Sequence, residues 1–475
     1  MKKTGLFLGP LLFLVLLFLP VPEGLSGPGW RTAAVGILMA VWWITEAIPI
    51  AATALLPLVL FPVLDIAPIK DTASPYANPL IFLFMGGFVV ALGIQRWNLH
   101  KRMALEIIRH IGAKPRSIIA GFMIATAFLS MWVSNTATAM MMLPIALSVI
   151  EVVQNKSKDR QDNYPLVLLL SIAYAASIGG LGTLIGTPPN ALMAAFMFEN
   201  WGVQLDFVKW MLVGVPLVVV GIFFSYLLLV YVIYPVRQTD IPGSHDFIRS
   251  ELAALGRMSG NEIKVALVFA LVALLWIFRP LLGNTIPGLS DTGIAMFGAL
   301  LMFLVPANWK SFTFLLDWKD MQQLPWGVLL LFGGGLSLAS AISRNGLSEW
   351  IGSGFTQIQH WPIVIVIILV TACIIMLTEL TSNTATTAAF LPIMAAVAVS
   401  IGHSPMLFAV PTALAASCAF MLPVATPPNA IIYGSGNITI PKMAKAGMFL
   451  NVLFIILITL LTFTLVRWVF GISIQ

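Results

Sequence analysis

Long apolar runs with almost no charge recur along the whole chain, and they limit the folds open to it more than any other feature. Each run is about 20 residues long, the length at which a helix crosses the hydrocarbon core of a bilayer. Of the 475 residues, 59% are hydrophobic and only 9% are charged, against about 25% charged in soluble domains. We therefore predict an all-α polytopic membrane protein, because helices satisfy their backbone polar groups internally.

Apolar runs and helix breakers predict eleven transmembrane helices. They cover residues 5–21, 31–49, 51–66, 79–96, 165–198, 209–235, 262–280, 290–306, 324–344, 404–433 and 446–470. Two further apolar segments, 117–150 and 362–400, are too long for one span and are interrupted by Ser-Asn-Thr. Each is predicted to form a re-entrant hairpin, with the two tips meeting at membrane depth.

The distribution of positive charge predicts the orientation in the membrane. With the N-terminus in the cytoplasm, 19 of the 25 Lys and Arg residues fall on the cytoplasmic face, as the positive-inside rule requires. The C-terminus is then external. The formal net charge of +6 lies in short loops, which argues against nucleic-acid binding.

Short motifs recur at a fixed separation of 248 residues. Leu-Phe-Met-Gly-Gly at 83–87 resembles Leu-Phe-Gly-Gly-Gly at 331–335, and Ser-Asn-Thr-Ala-Thr at 134–138 is repeated at 382–386. The constant separation indicates that the two halves share one structural plan.

A second motif pair supports the same plan. Gly-Thr-Pro-Pro-Asn at 186–190 resembles Ala-Thr-Pro-Pro-Asn at 425–429, at a separation of 239 residues. Since an odd number of predicted spans separates equivalent elements, one half is inverted relative to the other. We expect a single unit, 1–475, with inverted repeats at about 31–236 and 260–470 and a binding site where the interrupted helices converge.

The Thr-Pro-Pro-Asn motifs must interrupt their helices. Two consecutive prolines remove backbone donors, and the residue before the first proline is disfavoured in the helical conformation. Freed backbone groups at membrane depth are tolerated where they line a polar cavity or coordinate a ligand. A proline kink repaired by neighbouring helices is the alternative, but the symmetric recurrence favours a binding site.

The Ser-Asn-Thr tips carry short side chains with hydroxyl and amide oxygens. One turn before each tip, Ser130 and Thr378 are also equivalent. Each half can therefore surround a hard cation with oxygens, the candidates being Ser130, Ser134, Asn135 and Gly186 in one half and Thr378, Ser382, Asn383 and Ala425 in the other. This predicts two sodium sites, although close packing of small residues between helices is the alternative.

The charge of the substrate follows by elimination. Neither tip nor break contains Lys, Arg or His, and Glu379 is the one adjoining acid. A cation carrier would bring carboxylates to both sites, whereas an anion can be held by half-helix N-termini, Asn and Thr donors and neighbouring sodium ions. Because Met131 is equivalent to Glu379, we expect a structural role for this acid.

These motifs resemble the divalent anion/sodium symporter family. The resemblance covers nearly the whole chain and includes Trp-Ile-Thr-Glu-Ala-Ile-Pro at 43–49, both Ser-Asn-Thr tips and the segment 417–429. It implies a homodimer in the bacterial inner membrane. It also implies a scaffold domain and a moving transport domain, interleaved along the chain, that carry substrate by an elevator mechanism.

The resemblance also implies individual residue roles. The sodium ligands would be Ser130, Ser134, Asn135 and Gly186 in the first site and Thr378, Thr381, Asn383 and Ala425 in the second. The substrate carboxylates would contact Asn135, Thr136, Thr187, Pro189, Asn383, Thr384, Thr426 and Pro427. This set favours sodium-coupled members of the family, and Thr384 fits a dicarboxylate better than citrate or sulfate.

The sequence thus predicts sodium symport of C4-dicarboxylates such as succinate, malate and fumarate. A sodium-independent dicarboxylate or citrate antiporter and a sulfate symporter remain alternatives, and an ion channel is a rival from another class. A membrane-embedded enzyme is disfavoured, because no paired carboxylates, HExxH motif or nucleophile-base spacing occurs in the sequence.

Overall fold

The computed structural model describes residues 2–112, 114–156, 163–236, 244–283, 285–354 and 360–472. Helices dominate these residues, and two short antiparallel strands, β1 (Pro306–Asn308) and β2 (Thr313–Phe314), pair with each other. The helices of the first half are α1 (Lys2–Phe18), α2 (Gly27–Thr45), α3 (Ile50–Thr53), α4 (Leu56–Val63), α5 (Ile69–Ala73), α6 (Pro79–Arg96), α7 (Leu99–Ile111), α8 (Pro115–Ser130), α9 (Asn135–Lys156), α10 (Tyr164–Gly180), α11 (Pro188–Trp201) and α12 (Phe207–Leu227).

The second half repeats this pattern after a connecting helix, α13 (Ser244–Ala254). Its helices are α14 (Gly260–Leu282), α15 (Asp291–Leu304), α16 (Trp326–Arg344), α17 (Leu347–Ser353), α18 (Ile363–Thr378), α19 (Asn383–Ser400), α20 (Met406–Ala416), α21 (Pro427–Gly434), α22 (Ile440–Leu461) and α23 (Arg467–Phe470). Short 3₁₀ segments precede α6 and α16 (Ser74–Ala77 and Trp318–Gln323), and π-helical segments follow α12 and α22 (Leu228–Ile233 and Thr462–Val466).

Six helical stretches among the described residues are long and apolar enough to cross a membrane. They are Ile69–Arg96, Phe207–Ile233, Gly260–Leu282, Trp326–Arg344, Asn383–Ser400 and Ile440–Phe470. The chain is therefore a multi-pass membrane protein. Seven further apolar helices are shorter, including α8, α10, α15, α18 and α20.

Three of the predicted spans are divided in the structure, two of them at the predicted Thr-Pro-Pro-Asn interruptions and one, 51–66, where a continuous helix was predicted. The predicted 51–66 span is split into α3 and α4, because Pro57 in the first turn of α4 lacks the N–H that would continue the preceding helix. The predicted 165–198 and 404–433 spans are each two half-helices, α10 with α11 and α20 with α21, separated at the Thr-Pro-Pro-Asn motifs.

Equivalent helices keep their spacing in the two halves. The helices α8 and α18 both end four residues before the tip serine, at positions 248 residues apart, and α9 and α19 both begin at the tip asparagine. The half-helices α11 and α21 both begin at the first proline of the repeated motif. The two long apolar segments thus each form a helical hairpin with its turn at Ser-Asn-Thr.

Ion pairs join the two halves in a reciprocal way. Arg96, at the end of α6, pairs with Asp317 at 2.9 Å and also with Asp320. Its equivalent Arg344, at the end of α16, pairs with Asp71 of the first half at 3.2 Å. Each half therefore supplies an arginine that pairs with an acid of the other half. The acids lie in the segments that lead into α16 and α6, respectively.

Candidate functional site

The four repeated motifs open on one cavity of about 1230 Å³. Both hairpin tips and both helix breaks contribute to its wall, together with side chains from α6 and from the chain before α16. Residues from the motifs that line it include Ser134, Asn135, Thr136, Gly186, Thr187, Pro188, Thr381, Ser382, Asn383, Thr384, Ala425, Thr426, Pro427 and Pro428. The convergence predicted from the two motif pairs is therefore present in the structure.

An oxygen-rich cluster lies behind each tip. In the first half, the Ser130 hydroxyl oxygen lies 2.6 Å from Asn135 Oδ1 and 2.7 Å from the Ala176 carbonyl oxygen. In the second half, Thr378 Oγ1 lies 2.8 Å from Asn383 Oδ1 and 2.8 Å from the Ala416 carbonyl oxygen. The two clusters have the same composition, a hydroxyl, an amide oxygen and a half-helix carbonyl.

With Asn135 and Asn383 Oδ1 facing the hydroxyls, each cluster is short of one hydrogen. A hydroxyl carries a single proton, so Ser130 or Thr378 cannot donate to both neighbouring oxygens at the same time. The deficit is removed either by turning the asparagine amide, so that its nitrogen donates, or by a cation among the oxygens. Hard cations prefer oxygen donors of this kind, and unwound carbonyls at half-helix C-termini coordinate sodium in interrupted-helix transporters.

An asparagine side chain fixes each helix break. Asn190 Nδ2 donates to the carbonyl oxygens of Gly180 at 3.1 Å and Thr183 at 2.8 Å. Its equivalent Asn429 donates to Ala419 at 3.2 Å and Leu422 at 3.0 Å. These carbonyls have lost their helical partners, and the amides satisfy them inside the protein, where an unpaired polar group is costly.

The residue before each proline pair is extended, as the steric restriction on pre-proline residues requires. Thr187 has φ −144° and ψ 142°, and Thr426 has φ −140° and ψ 150°. Both threonines are therefore N-caps, and Thr426 Oγ1 accepts from the backbone N–H of Asn429 at 3.3 Å. The new half-helices begin directly at the cavity wall.

Helix N-termini converge on the cavity from both repeats. The helices α9, α11, α19 and α21 all begin with residues that line it, so partial positive charge faces the cavity. Among the lining residues, Lys2 and Glu46 carry opposite charges 3.6 Å apart. Burial lowers the pKa of the third titratable lining group, His100 on α7. The arrangement suits an anion held mainly by helix N-termini and neutral donors.

Most of the predicted site residues reach the cavity, and three do not. Ser130 and Thr378 are buried behind the tips and contact Asn135 and Asn383 there. Pro189 is absent from the wall and Pro188 lies on it instead. Thr381 lines the cavity, and its hydroxyl donates to the Leu377 carbonyl oxygen at 2.9 Å.

Sequence reasoning assigned no role to Asn190, Asn429 or Asn451. For the first two a clue existed, since both asparagines belong to the repeated motif at the fixed separation of 239 residues. For Asn451, in the middle of α22, no repeat or motif marked the position. Its side-chain amide donates to Glu379 at 2.8 Å.

Glu379 is buried beside the second tip and contacts the second break. Its two carboxylate oxygens accept from the backbone N–H groups of Phe420, Met421 and Leu422 at 2.8 to 3.2 Å. Together with the Asn451 amide, these donors join three elements of the second half. This geometry agrees with the structural role expected for this acid.

Comparison with known proteins decides the family. The sequence profile described as the sodium:sulfate symporter transmembrane region matches residues 2–472. The chain belongs to this family. It is 45% identical to a sodium-dependent dicarboxylate transporter, SdcS, of Staphylococcus saprophyticus, and 44% identical to SdcS of Staphylococcus aureus strain USA300; each alignment covers 100% of this chain and 93% of the relative.

Two solved transporter structures share the fold at low sequence identity. The YdaH transporter of Alcanivorax borkumensis superposes with a TM-score of 0.63 at 13% identity, covering 94% of this chain and 99% of that one. MtrF of Neisseria gonorrhoeae gives 0.59 at 12% identity, covering 99% and 98%. The family and its named relatives are transporters, so the chain is a membrane transporter and not an enzyme.

Proposed function

We propose that this protein imports C4-dicarboxylates, such as succinate, malate and fumarate, by sodium symport. The observation that carries the proposal is the pair of equivalent oxygen clusters behind the two tips, beside a cavity with no unpaired fixed cation among its described lining residues. Relatives of 44–45% identity that bear the name sodium-dependent dicarboxylate transporter support the same assignment.

One sodium ion is proposed to bind in each half. The ligands are Ser130, Ser134, Asn135 and Gly186 for the first ion and Thr378, Thr381, Asn383 and Ala425 for the second. Both sets combine hydroxyl, amide and backbone oxygens, the donors that a hard cation prefers. Binding replaces the short contact from Ser130 or Thr378 to its asparagine with cation coordination.

The dicarboxylate is proposed to lie between the two tips. Its carboxylates would contact Asn135, Thr136, Thr187, Pro189, Asn383, Thr384, Thr426 and Pro427, with Pro188 as a further candidate because it lines the cavity. The N-termini of α9, α11, α19 and α21 and the two sodium ions would balance the negative charge. This charge balance explains why substrate binding should require sodium.

The membrane arrangement proposed for this function is an inverted repeat, with 31–236 opposed to 260–470. It has eleven spans and two re-entrant hairpins, the N-terminus in the cytoplasm and the C-terminus outside. We further propose a homodimer in the bacterial inner membrane, in which interleaved scaffold and transport segments move relative to each other as an elevator. The short half-helices α10, α11, α20 and α21, whose breaks meet at the cavity, would belong to the moving part.

Uptake into proteoliposomes tests the proposal. Labelled succinate should accumulate under an inward sodium gradient and not when choline replaces sodium. Equal uptake in both conditions would contradict sodium coupling and favour an antiporter. Unlabelled succinate loaded inside the proteoliposomes should then stimulate the uptake of labelled succinate. Unlabelled malate and fumarate should compete with succinate, whereas competition by sulfate alone would identify a sulfate symporter.

A further inference from the structure

The carboxylate of Glu379 is surrounded by donors. The residue is only 4% exposed, and its oxygens accept from three consecutive backbone N–H groups, 420–422, and from Asn451 Nδ2. Four donor groups on one buried carboxyl group hold the segment 420–422 and Asn451 against Glu379.

Glu379 is linked to two residues of the second cation site, one through the chain and one through hydrogen bonds. Thr378, whose hydroxyl belongs to the oxygen cluster, precedes Glu379 in the chain. On the other side, the Leu422 N–H donates to Glu379 at 3.2 Å, while the Leu422 carbonyl accepts from Ala425 N at 3.2 Å and from Asn429 at 3.0 Å. A continuous path thus runs from the carboxylate to Ala425.

The first half makes the same connection without a charge. Met131 is equivalent to Glu379, and its backbone carbonyl accepts from the Thr183 hydroxyl at 2.5 Å. The Thr183 carbonyl in turn accepts from Gly186 N at 3.4 Å and from Asn190 at 2.8 Å. Thr183 and Leu422 are equivalent, so both halves link the tip to the break at the same position. The link uses the Thr183 hydroxyl in the first half and the Glu379 carboxylate in the second.

We propose that Glu379 is a positioning residue that makes the two sodium sites unequal. It holds the unwound segment 420–422 in the shape that presents Ala425 to the second ion, and its negative charge attracts that ion. The inference rests on the proposed function. The second site should consequently bind sodium more tightly than the first and should govern the sodium concentration required for transport.

The test compares sodium dependence and local backbone protection in Glu379→Gln. At saturating succinate, the sodium concentration for half-maximal uptake should rise about tenfold, the size expected when a unit charge is removed from the neighbourhood of a partly buried cation. At saturating sodium, the KM for succinate should stay within about twofold. Amide hydrogen exchange should accelerate at 420–422 and remain unchanged at the equivalent segment 181–183.

Glu199→Gln is the matched control. This exposed acid of α11 also accepts from an asparagine amide, Asn78 Nδ2 at 3.1 Å, but contacts neither break. The same change of charge there should leave the sodium requirement unaltered. A shift equal to that of Glu379→Gln would mean that net charge, not position, is responsible, and would overturn the inference.

The remaining outcomes separate the inference from the proposed function. Unchanged sodium dependence in a folded Glu379→Gln protein overturns the inference alone. If that variant does not fold, Asn451→Ala, which removes one of the four donor groups, should raise the half-maximal sodium concentration about threefold, and no shift overturns the inference. Sodium-independent uptake by the unaltered protein overturns both.

Discussion

The two helix breaks perform equivalent tasks and are held by different means. The first break, 181–187, is rich in glycine and closely packed: a Cβ at Gly180 would lie 2.8 Å from Asn135 Oδ1, and one at Gly186 would lie 2.5 Å from the Gly180 carbonyl oxygen. The second break, 417–426, is longer and carries Ala419 and Ala425 at these positions. Backbone packing holds the first, and the Glu379 carboxylate holds the second.

What the two halves share is therefore more informative about function than what either contains alone. Both keep the asparagine that holds the break, the extended threonine before the prolines and the oxygen cluster behind the tip. The contacts that stabilise the break can differ between the halves, because several kinds of contact can hold an unwound segment in place. The Ser-Asn-Thr tips face the cavity in both halves, as expected if each half binds the same type of ion.

The largest effect is expected at the tips. Asn135→Ala and Asn383→Ala should each reduce sodium-driven succinate uptake about 100-fold, because each removes a proposed ligand of both ion and substrate worth up to about 3 kcal/mol. Size-exclusion chromatography and thermal unfolding should show both variants folded. Near-normal uptake in only one of the two variants would show that the two tips are not functionally equivalent.

The next largest effects are expected at the two asparagines that hold the breaks, Asn190 and Asn429, and they should differ in size. Asn190→Ala should lower the free energy of unfolding by about 2–3 kcal/mol, the cost of leaving buried carbonyls unsatisfied. Asn429→Ala should cost about 1–2 kcal/mol, because the four donor groups on Glu379 still hold the second break. Detergent-induced unfolding measures both values, and the reverse order would contradict the proposed difference between the breaks.

Exchanging the small residues tests the packing of the first break. Gly186→Ala should destabilise the protein by about 1–3 kcal/mol, since the new methyl group meets backbone atoms that cannot move aside. The reciprocal change, Ala425→Gly, should cost only about 0.5–1 kcal/mol through added chain entropy. Thermal unfolding of the pair gives the comparison, and equal losses would mean that the first break is not the tighter one.

The reciprocal ion pairs should have the smallest effects. Arg344→Ala removes an exposed pair with Asp71 and should change stability by no more than about 0.5 kcal/mol. Arg96→Ala removes two partly exposed partners and should cost about 1 kcal/mol. Raising the salt concentration should diminish both effects, and a loss of several kcal/mol from either variant would show that these pairs hold the halves together.

Much of the site could be predicted because it is repeated. Fixed separations of 248 and 239 residues identified the tips and breaks as equivalent, and proline chemistry required the helices to be interrupted there. The helices α8, α9, α18 and α19 followed from the length of the apolar segments and the polar residues within them. These are local properties of the chain, and they do not depend on how the helices pack.

Other features depend on packing and could not be predicted from the sequence. Whether Pro188 or Pro189 faces the cavity is set by the rotation of α11 about its axis. Asn451 lies 72 positions from Glu379, and nothing in the sequence marks it as the partner. The division of the 51–66 segment into α3 and α4 was also not predicted. The segment is apolar throughout, and Pro57 is compatible with a helix because it lies in the first turn of α4.

A high-resolution cryo-electron microscopy structure of the protein with sodium and succinate would test the central claim most directly. We predict elongated density between Asn135 and Asn383 at the half-helix N-termini, and one compact density in each oxygen cluster. All three should be absent when choline replaces sodium. Succinate bound elsewhere, or clusters that remain empty with Ser130 and Thr378 still in contact with their asparagines, would contradict the account.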